Sequence, residues 1–366
     1  MNNSNSSVPL CYSNTSSPYI YDPKIGKVHF SATFSALGLT SNLIAFIVLI
    51  KSCQRTQSRS RSFFLIFLGG LVVTDFMGLL VTGSVVISFY VNHIDWRQSD
   101  LGCHFCNFMG ISMIFYGLCP LLLGTSMAVE RFIGINHPFA RSTKTAKGRT
   151  VSMVLMVWFF AGCISLLPLT GFGSYHIQTP GSWCFLNISS KTNDWAFALL
   201  FSIVGLTSIA LSFLLNTVSV VTLFRVCCGP DRTQRRRDHE VEMMLQLILI
   251  MVIATICWCP LLVFIAQTAL SKKSTEPRYL LLWIRFATCN QILDPWVYIL
   301  FRRAVLRRLR PRVNWSSNSV MNLYPSFQGT IRRFTQPSVQ NHLVTEEKVE
   351  SNETPAATRL PTASNK

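Results

Sequence analysis

Runs of about twenty apolar residues recur seven times along the chain, near 29–50, 62–89, 105–128, 151–171, 196–224, 241–270 and 279–301. Each is long enough to carry an α-helix across about 30 Å of hydrocarbon at 1.5 Å per residue. The pattern predicts seven membrane-spanning helices. The last run, YLLLWIRFATCNQILDPWVYILF, holds Arg285 and Asp294 inside it. A charge in the hydrocarbon costs roughly 2.5–3.5 kcal/mol on insertion scales, so such residues face a protein interior and bind or switch something. Arg285 is the first candidate for a ligand anchor; the plainer alternative is a guanidinium that snorkels to the interface.

Composition agrees with a polytopic membrane protein. Hydrophobic residues make up 49% of the chain and charged residues 13%, and the mean hydropathy is +0.36. The net charge of +17 changes the picture through its placement. One set of connections holds Lys51, Arg55, Arg59 and Arg61, then Arg141, Lys144, Lys147 and Arg149, then Arg225 and Arg232 to Arg237, then the arginines from Arg302 to Arg312. The opposite set is sparse, with Lys24, Lys27, Arg97, Lys191, Lys272, Lys273 and Arg278. Basic loops stay cytoplasmic, so the amino terminus is expected outside and the carboxyl terminus inside. The charge then forms a collar for anionic lipid and acidic partners, with no nucleic-acid function implied.

Residues 1–28 form the expected extracellular tail. It shows no apolar signal-peptide core, so the first span is expected to direct insertion. Its sequons at Asn2, Asn5 and Asn14, with a fourth at Asn187, suit glycosylation on that side. Of the 12 cysteines, Cys11, Cys103, Cys106 and Cys184 fall in expected extracellular segments, where disulfides persist. Four cysteines allow three connectivities. Cys106 opens the third span and Cys184 lies mid-loop, so those two are paired, leaving Cys11 for Cys103. The remaining thiols are read as small buried or juxtamembrane residues forming no metal site, with Cys227 and Cys228 open to palmitoylation.

Asn42 in span one, Leu71 and Asp75 in span two, Glu130-Arg131-Phe132 closing span three, Trp158 in span four, Cys257-Trp258-Cys259-Pro260 in span six and Asp294-Pro295-Trp296-Val297-Tyr298 in span seven follow in order. Together they resemble the rhodopsin-like G-protein-coupled receptors. Within that class, Pro180-Gly181-Ser182-Trp183-Cys184-Phe185, with Arg285 and the string from Asn290 to Trp296, is similar to the prostanoid receptors. The resemblance covers roughly 31–312 and implies an all-α seven-transmembrane bundle, bounded by the apolar runs at 29–301; the residue pattern adds a short amphipathic eighth helix at 302–312 and a polar tail at 313–366 expected to be disordered.

The residues point independently to a lipid acid. Seven positions beyond Cys106, where amine receptors carry an aspartate, stands Met113, and no lysine lies inside a span to form a Schiff base. What remains is an arginine about 9 Å into span seven within an apolar bundle, suited to a charge-assisted pair with a fatty-acid carboxylate. The resemblance adds Thr82, Tyr90 and Ser182 as head-group contacts, Trp183 as a lid residue, and Met113 and Trp258 as pocket walls. Thr82 could equally bond its own helix. A carboxylate anchor serves every prostanoid, so receptors for prostaglandins E, D or F stay open as alternatives.

At the other end, Glu130, Arg131, Glu240 and Tyr298 are the expected switch. The resemblance implies a resting Arg131–Glu240 pair broken when span six swings outward; the alternative is a solvated Glu240. It also implies a Gq-class G protein, with receptor kinases and arrestin acting on the Ser/Thr-rich tail. Arg302–Arg312 places Val305, Leu306 and Leu309 opposite arginines, as in a helix lying on the inner leaflet. Asp294 replaces the usual asparagine and Pro120 a usual serine, which argues against a standard sodium site. Asp75 and Asp294 are expected to face each other near Asn42 and Asn290 and to share a proton. A transporter would show repeated halves, and the sequence has no internal repeat. Isolated histidines and the lack of a Gly-x-Ser-x-Gly elbow argue against an enzyme, and no cofactor is implied.

Overall fold

The computed structural model describes residues 10–12, 28–54, 59–92, 99–136, 146–188, 193–227, 234–271 and 277–300. The side chains of Glu240 and Tyr298, residues Asn2, Asn5 and Asn14, the expected amphipathic helix and the tail lie outside that set.

Seven long helices follow one another: α1 Val28–Gln54, α2 Arg59–Asn92, α3 His104–Asn136, α4 Ala146–Leu166, α5 Asp194–Cys227, α6 Gln234–Ser271 and α7 Pro277–Leu300. The α4 span is shorter than the hydrophobic run suggests. Pro168 ends it in a 3-10 turn, Leu167–Thr170, which Gly171 closes at φ 89°, a conformation glycine tolerates. The helices pack in a ring of α1, α2, α3, α5, α6 and α7, with α4 outside against α2 and α3. Helix α3 is the axle, touching α2, α4, α5 and α6.

Among the described residues, six helices are long and apolar enough to cross a membrane by length and composition. The seventh, α7, falls short of that hydropathy. Arg285, Asn290, Gln291 and Asp294 lower its hydropathy. It is lodged between α1 and α6, where protein can solvate those groups. The outward faces are apolar: Leu155, Phe159, Ile203, Leu214 and Ile256 are all more than half exposed. Lipid tails suit such a surface and water does not.

Polar residues stitch helix to helix where hydrocarbon provides no hydrophobic drive. Trp158 donates its indole N–H to Thr74 Oγ1 at 3.1 Å, joining α4 to α2. Ser212 Oγ donates to Thr125 Oγ1 at 3.1 Å, joining α5 to α3. Pro295 has no N–H and leaves the Gln291 carbonyl, four residues earlier, without its helical donor. Fully buried Asn42 fills that gap, donating Nδ2–H at 2.9 Å from α1.

One end of the bundle is covered by an antiparallel hairpin, β1 Tyr175–Gln178 and β2 Trp183–Leu186, with Ile177 opposite Cys184. Its turn is closed by Gly181 N–H to the Gln178 carbonyl at 2.7 Å, with Gly181 at φ 99°. Cys106–Cys184 ties β2 to the start of α3, and Cys11–Cys103 ties the amino-terminal turn beside it, at Cα separations of 5.3 and 6.1 Å. Both pairs match the sequence reading. Asp100 Oδ2 accepts from the Phe105 and Cys106 N–H groups at 3.1 and 3.0 Å, capping α3, and from the Tyr12 hydroxyl at 2.9 Å. Tyr175 lies where only glycine leaves room, against Gly110. Burial raises the affinity of its phenol for its proton, which it donates to the Ser165 carbonyl at 2.7 Å.

Candidate functional site

Under the hairpin, α1, α2, α3 and α7 line a partly open cavity of about 730 Å³. Arg285, Thr82, Tyr90, Ser182, Trp183 and Met113 all border it, so one cavity gathers residues from three helices and the loop. A deeper chamber of about 430 Å³ shares Thr82, Met113, Ile284 and Thr288 as walls and reaches Trp258 and Phe201. The α7 residues bordering the two chambers include Ile284, Thr288 and Gln291, spaced i, i+4 and i+7 on one helical face.

The guanidinium of Arg285 stacks 4.5 Å from the Phe30 ring centroid. Guanidinium binds carboxylate through its N–H edge, and an aromatic ring can stack on its face at the same time. Phe30 escaped the sequence reading, although its i, i+4 partner Phe34, stacked at 4.2 Å, made the aromatic pair visible.

Ser182 Oγ donates to the Tyr90 hydroxyl at 3.3 Å, which puts two hydroxyls together at the cavity wall. Thr82 takes its alternative role here and donates to the Gly78 carbonyl of its own helix at 2.6 Å. Trp183 is 6% exposed and donates its indole N–H to the Thr179 carbonyl at 3.1 Å, so it is packed into the lid. Ser31, Ser35 and Thr288 add small hydroxyls to a wall that is otherwise mainly apolar.

The Asn187 sequon amide is used inside the fold. Its Nδ2–H donates to Asp194 Oδ2 at 2.8 Å, while Ser174 donates to Asp194 Oδ1 at 2.8 Å, pinning the hairpin to the start of α5.

Deeper in the bundle, Asp75 and Asp294 are buried electrostatic neighbours. Asn290 Nδ2–H donates to Asp294 Oδ2 at 2.8 Å. Neither Asp75 oxygen has a hydrogen-bond partner among the described residues. At the end away from the hairpin, Arg131 is buried, its Nε 3.7 Å from Glu130 Oε2 and its guanidinium 5.2 Å from the Phe64 ring centroid. The α6 backbone is helical at Glu240, whose side chain lies outside the described residues.

A hydrophobic seven-helix bundle, a disulfide-tied loop over a cavity and an Arg at the far end of α3 define a receptor architecture. The family of seven-transmembrane receptors of the rhodopsin type matches residues 41–298, and the chain belongs to it. It is 55% identical over 294 residues to the thromboxane A2 receptor of Rattus norvegicus, covering 77% of this chain and 85% of that protein. Against the thromboxane A2 receptor of Homo sapiens the identity is 52% over 302 residues, covering 80% and 88%. The prostaglandin F2-alpha receptor of Rattus norvegicus is 41% identical over 287 residues, covering 77% and 78%. Squid rhodopsin shares the fold, with a TM-score of 0.62 at 19% identity over 78% of this chain and 84% of that one. The protein is a multi-pass membrane receptor and not an enzyme.

Proposed function

We propose that this receptor binds a lipid carboxylic acid of the prostanoid class, thromboxane A2 or its endoperoxide precursor, and signals through a Gq-class G protein to phospholipase C and calcium. The observation that carries the reading is Arg285, held on Phe30 in the wall of an apolar cavity beside the Tyr90–Ser182 pair. The names of the 52–55% identical relatives supply the ligand.

In this reading the carboxylate pairs with Arg285, Tyr90 and Ser182 donate to it, and Thr82 borders the head group. Trp183 closes the lid. The hydrocarbon chains lie against Met113 and run toward Trp258. The asymmetry of Lys and Arg supports an extracellular hairpin end in the plasma membrane. Anionic lipid then meets the basic collar, with receptor kinases and arrestin at the tail. Agonist favours a state in which α6 swings about Pro260, opening a groove beside Arg131 for the G protein. Glu240, Tyr298 and the Asp75–Asp294 centre shift with it.

Calcium recorded from cells expressing the chain, across a thromboxane mimetic, prostaglandins E, D and F and prostacyclin, tests the ligand. The mimetic should act at the lowest concentration. A more potent response to any of the others reassigns the subtype.

A further inference from the structure

The open ends of the lid hairpin meet at a triangle of side chains. Ser174 precedes β1, Asn187 follows β2 and Asp194 begins α5. Ser174 Oγ donates to Asp194 Oδ1 at 2.8 Å, and Asn187 Nδ2 donates to Asp194 Oδ2 at 2.8 Å and to Ser174 Oγ at 3.4 Å. The Asn187 backbone N–H extends the strand pairing to the Ser174 carbonyl at 2.9 Å. Neighbouring contacts brace the same corner. A Cβ on Gly173 would come 2.7 Å from Phe197 Cβ, and Tyr175 meets the Phe197 ring edge-on at 6.0 Å. Asn193 donates to the Gly171 carbonyl at 3.1 Å, which holds the start of α5 to the turn that follows α4.

Asn187-Ile188-Ser189 is also a sequon, so two uses compete for one amide. A side-chain amide carries two N–H groups, and here two acceptors take them. An N-linked glycan replaces one of those hydrogens and adds a bulky polar chain that belongs in open solvent. Asp194, which accepts the shorter bond, is only 8% exposed. The folded corner leaves the amide no spare hydrogen to exchange for a sugar.

We propose that Asn187 is a silent sequon: its amide is the clip that fixes the base of the lid, and the residue stays unglycosylated in the folded receptor. Sugar is then confined to the amino-terminal sequons at Asn2, Asn5 and Asn14. The clip is a positioning element for the ligand site. It sets how β2 carries Ser182 and Trp183 over the cavity, and a freed base lets the lid lift so that bound ligand leaves sooner. The inference goes beyond the choice of ligand and rests on the hairpin end facing outside the cell.

The test uses the full-length receptor from mammalian cells. N-glycanase treatment in heavy-oxygen water marks each former glycan site, and mass spectrometry of the peptides should find the mark in the amino-terminal tail and none at Asn187. A marked Asn187 overturns the inference; so does an unmarked tail, which would put the hairpin on the wrong side of the membrane. The clip is read from the dissociation rate of a radiolabelled stable thromboxane mimetic. Ser189→Ala destroys the sequon and spares the amide, while Asn187→Asp keeps the shape and turns the donor into an acceptor opposite Asp194. Ser189→Ala should stay within about twofold of the parent rate, and Asn187→Asp should release ligand about tenfold faster. Asn187→Gln, which keeps the donor on a longer arm, should fall between them. A folding defect lowers the number of surface sites without changing the rate at which the remaining sites release ligand. Equal rates in Ser189→Ala and Asn187→Asp, whether fast or unchanged, overturn the inference. The glycan map needs no ligand, so a receptor that does not bind the mimetic refutes the prostanoid reading and leaves Asn187 to be decided by the map.

Discussion

At the hairpin end a set of side-chain bonds and disulfides staples the backbone: Tyr12 to Asp100, Ser182 to Tyr90, Trp183 to Thr179, Asn187 to Asp194, and two disulfides. From the middle of the bundle to its other end, buried acceptors on Asn42, Asp75, Asn216, Asn290 and Asp294 have no hydrogen-bond partner among the described residues. Satisfied networks rigidify, while unpaired buried groups stay costly in one arrangement and are relieved in another. The first region is built to keep a cavity in shape. In the activation proposed above, the second region is where helices must exchange partners between two states.

The comparison can be broken most forcefully at Arg285. Replacing it with glutamine should weaken an acidic agonist by about 2–5 kcal/mol, the usual loss when one partner of a desolvated pair is removed. The methyl ester should change little, and surface expression should persist because the end is braced by other bonds. Equal losses for acid and ester in concentration–response curves would make Arg285 a wall of the cavity and no anchor. A smaller effect is expected at the loosely held end. Glu240→Ala should raise ligand-independent signalling about five- to tenfold for a loss of roughly 1–1.4 kcal/mol, and Glu242→Ala, about 200° around the helix, should do much less. Unchanged basal inositol phosphate in Glu240→Ala would leave that glutamate as a solvated charge. Smallest is Phe64→Leu, which removes the ring over which Arg131 lies. A cation–π interaction of about 0.5–1 kcal/mol corresponds to roughly a two- to fivefold rise in basal signalling. If this variant exceeds Glu240→Ala, Arg131 is held chiefly from α2 and the resting restraint lies on the wrong helix for the expected pair.

The helices were legible because hydrocarbon demands long apolar runs, and the disulfides because only four cysteines fell in segments expected on the oxidising side. The site was legible where a residue broke a rule, as Arg285 does by sitting in a membrane helix. Thr82 broke none. Whether its hydroxyl bonds its own carbonyl or a ligand depends on a rotamer that no spacing encodes. At Asn187 the sequon triplet says nothing of the Asp194 that uses its amide. Phe30 left a periodic trace, the aromatic i, i+4 pair with Phe34. It was hidden in a segment apolar enough to read as ordinary span. What distinguishes it is the Arg285 guanidinium beside it, which comes there only once helices far apart in the chain are side by side.

The bond from Asn42 to the carbonyl that Pro295 leaves bare joins the first helix of the chain to the last, across a sequence separation of 249 residues. During synthesis α1 enters the membrane long before α7 exists, and until then its buried amide has only its own helix, at Gly38, to bond. The seam between first and last helix can therefore close only on a finished chain. Asn42 would then act as a completion mark: a product truncated before α7 retains an unspent polar group on a lipid-facing surface, the kind of defect by which quality control can tell a fragment from a receptor.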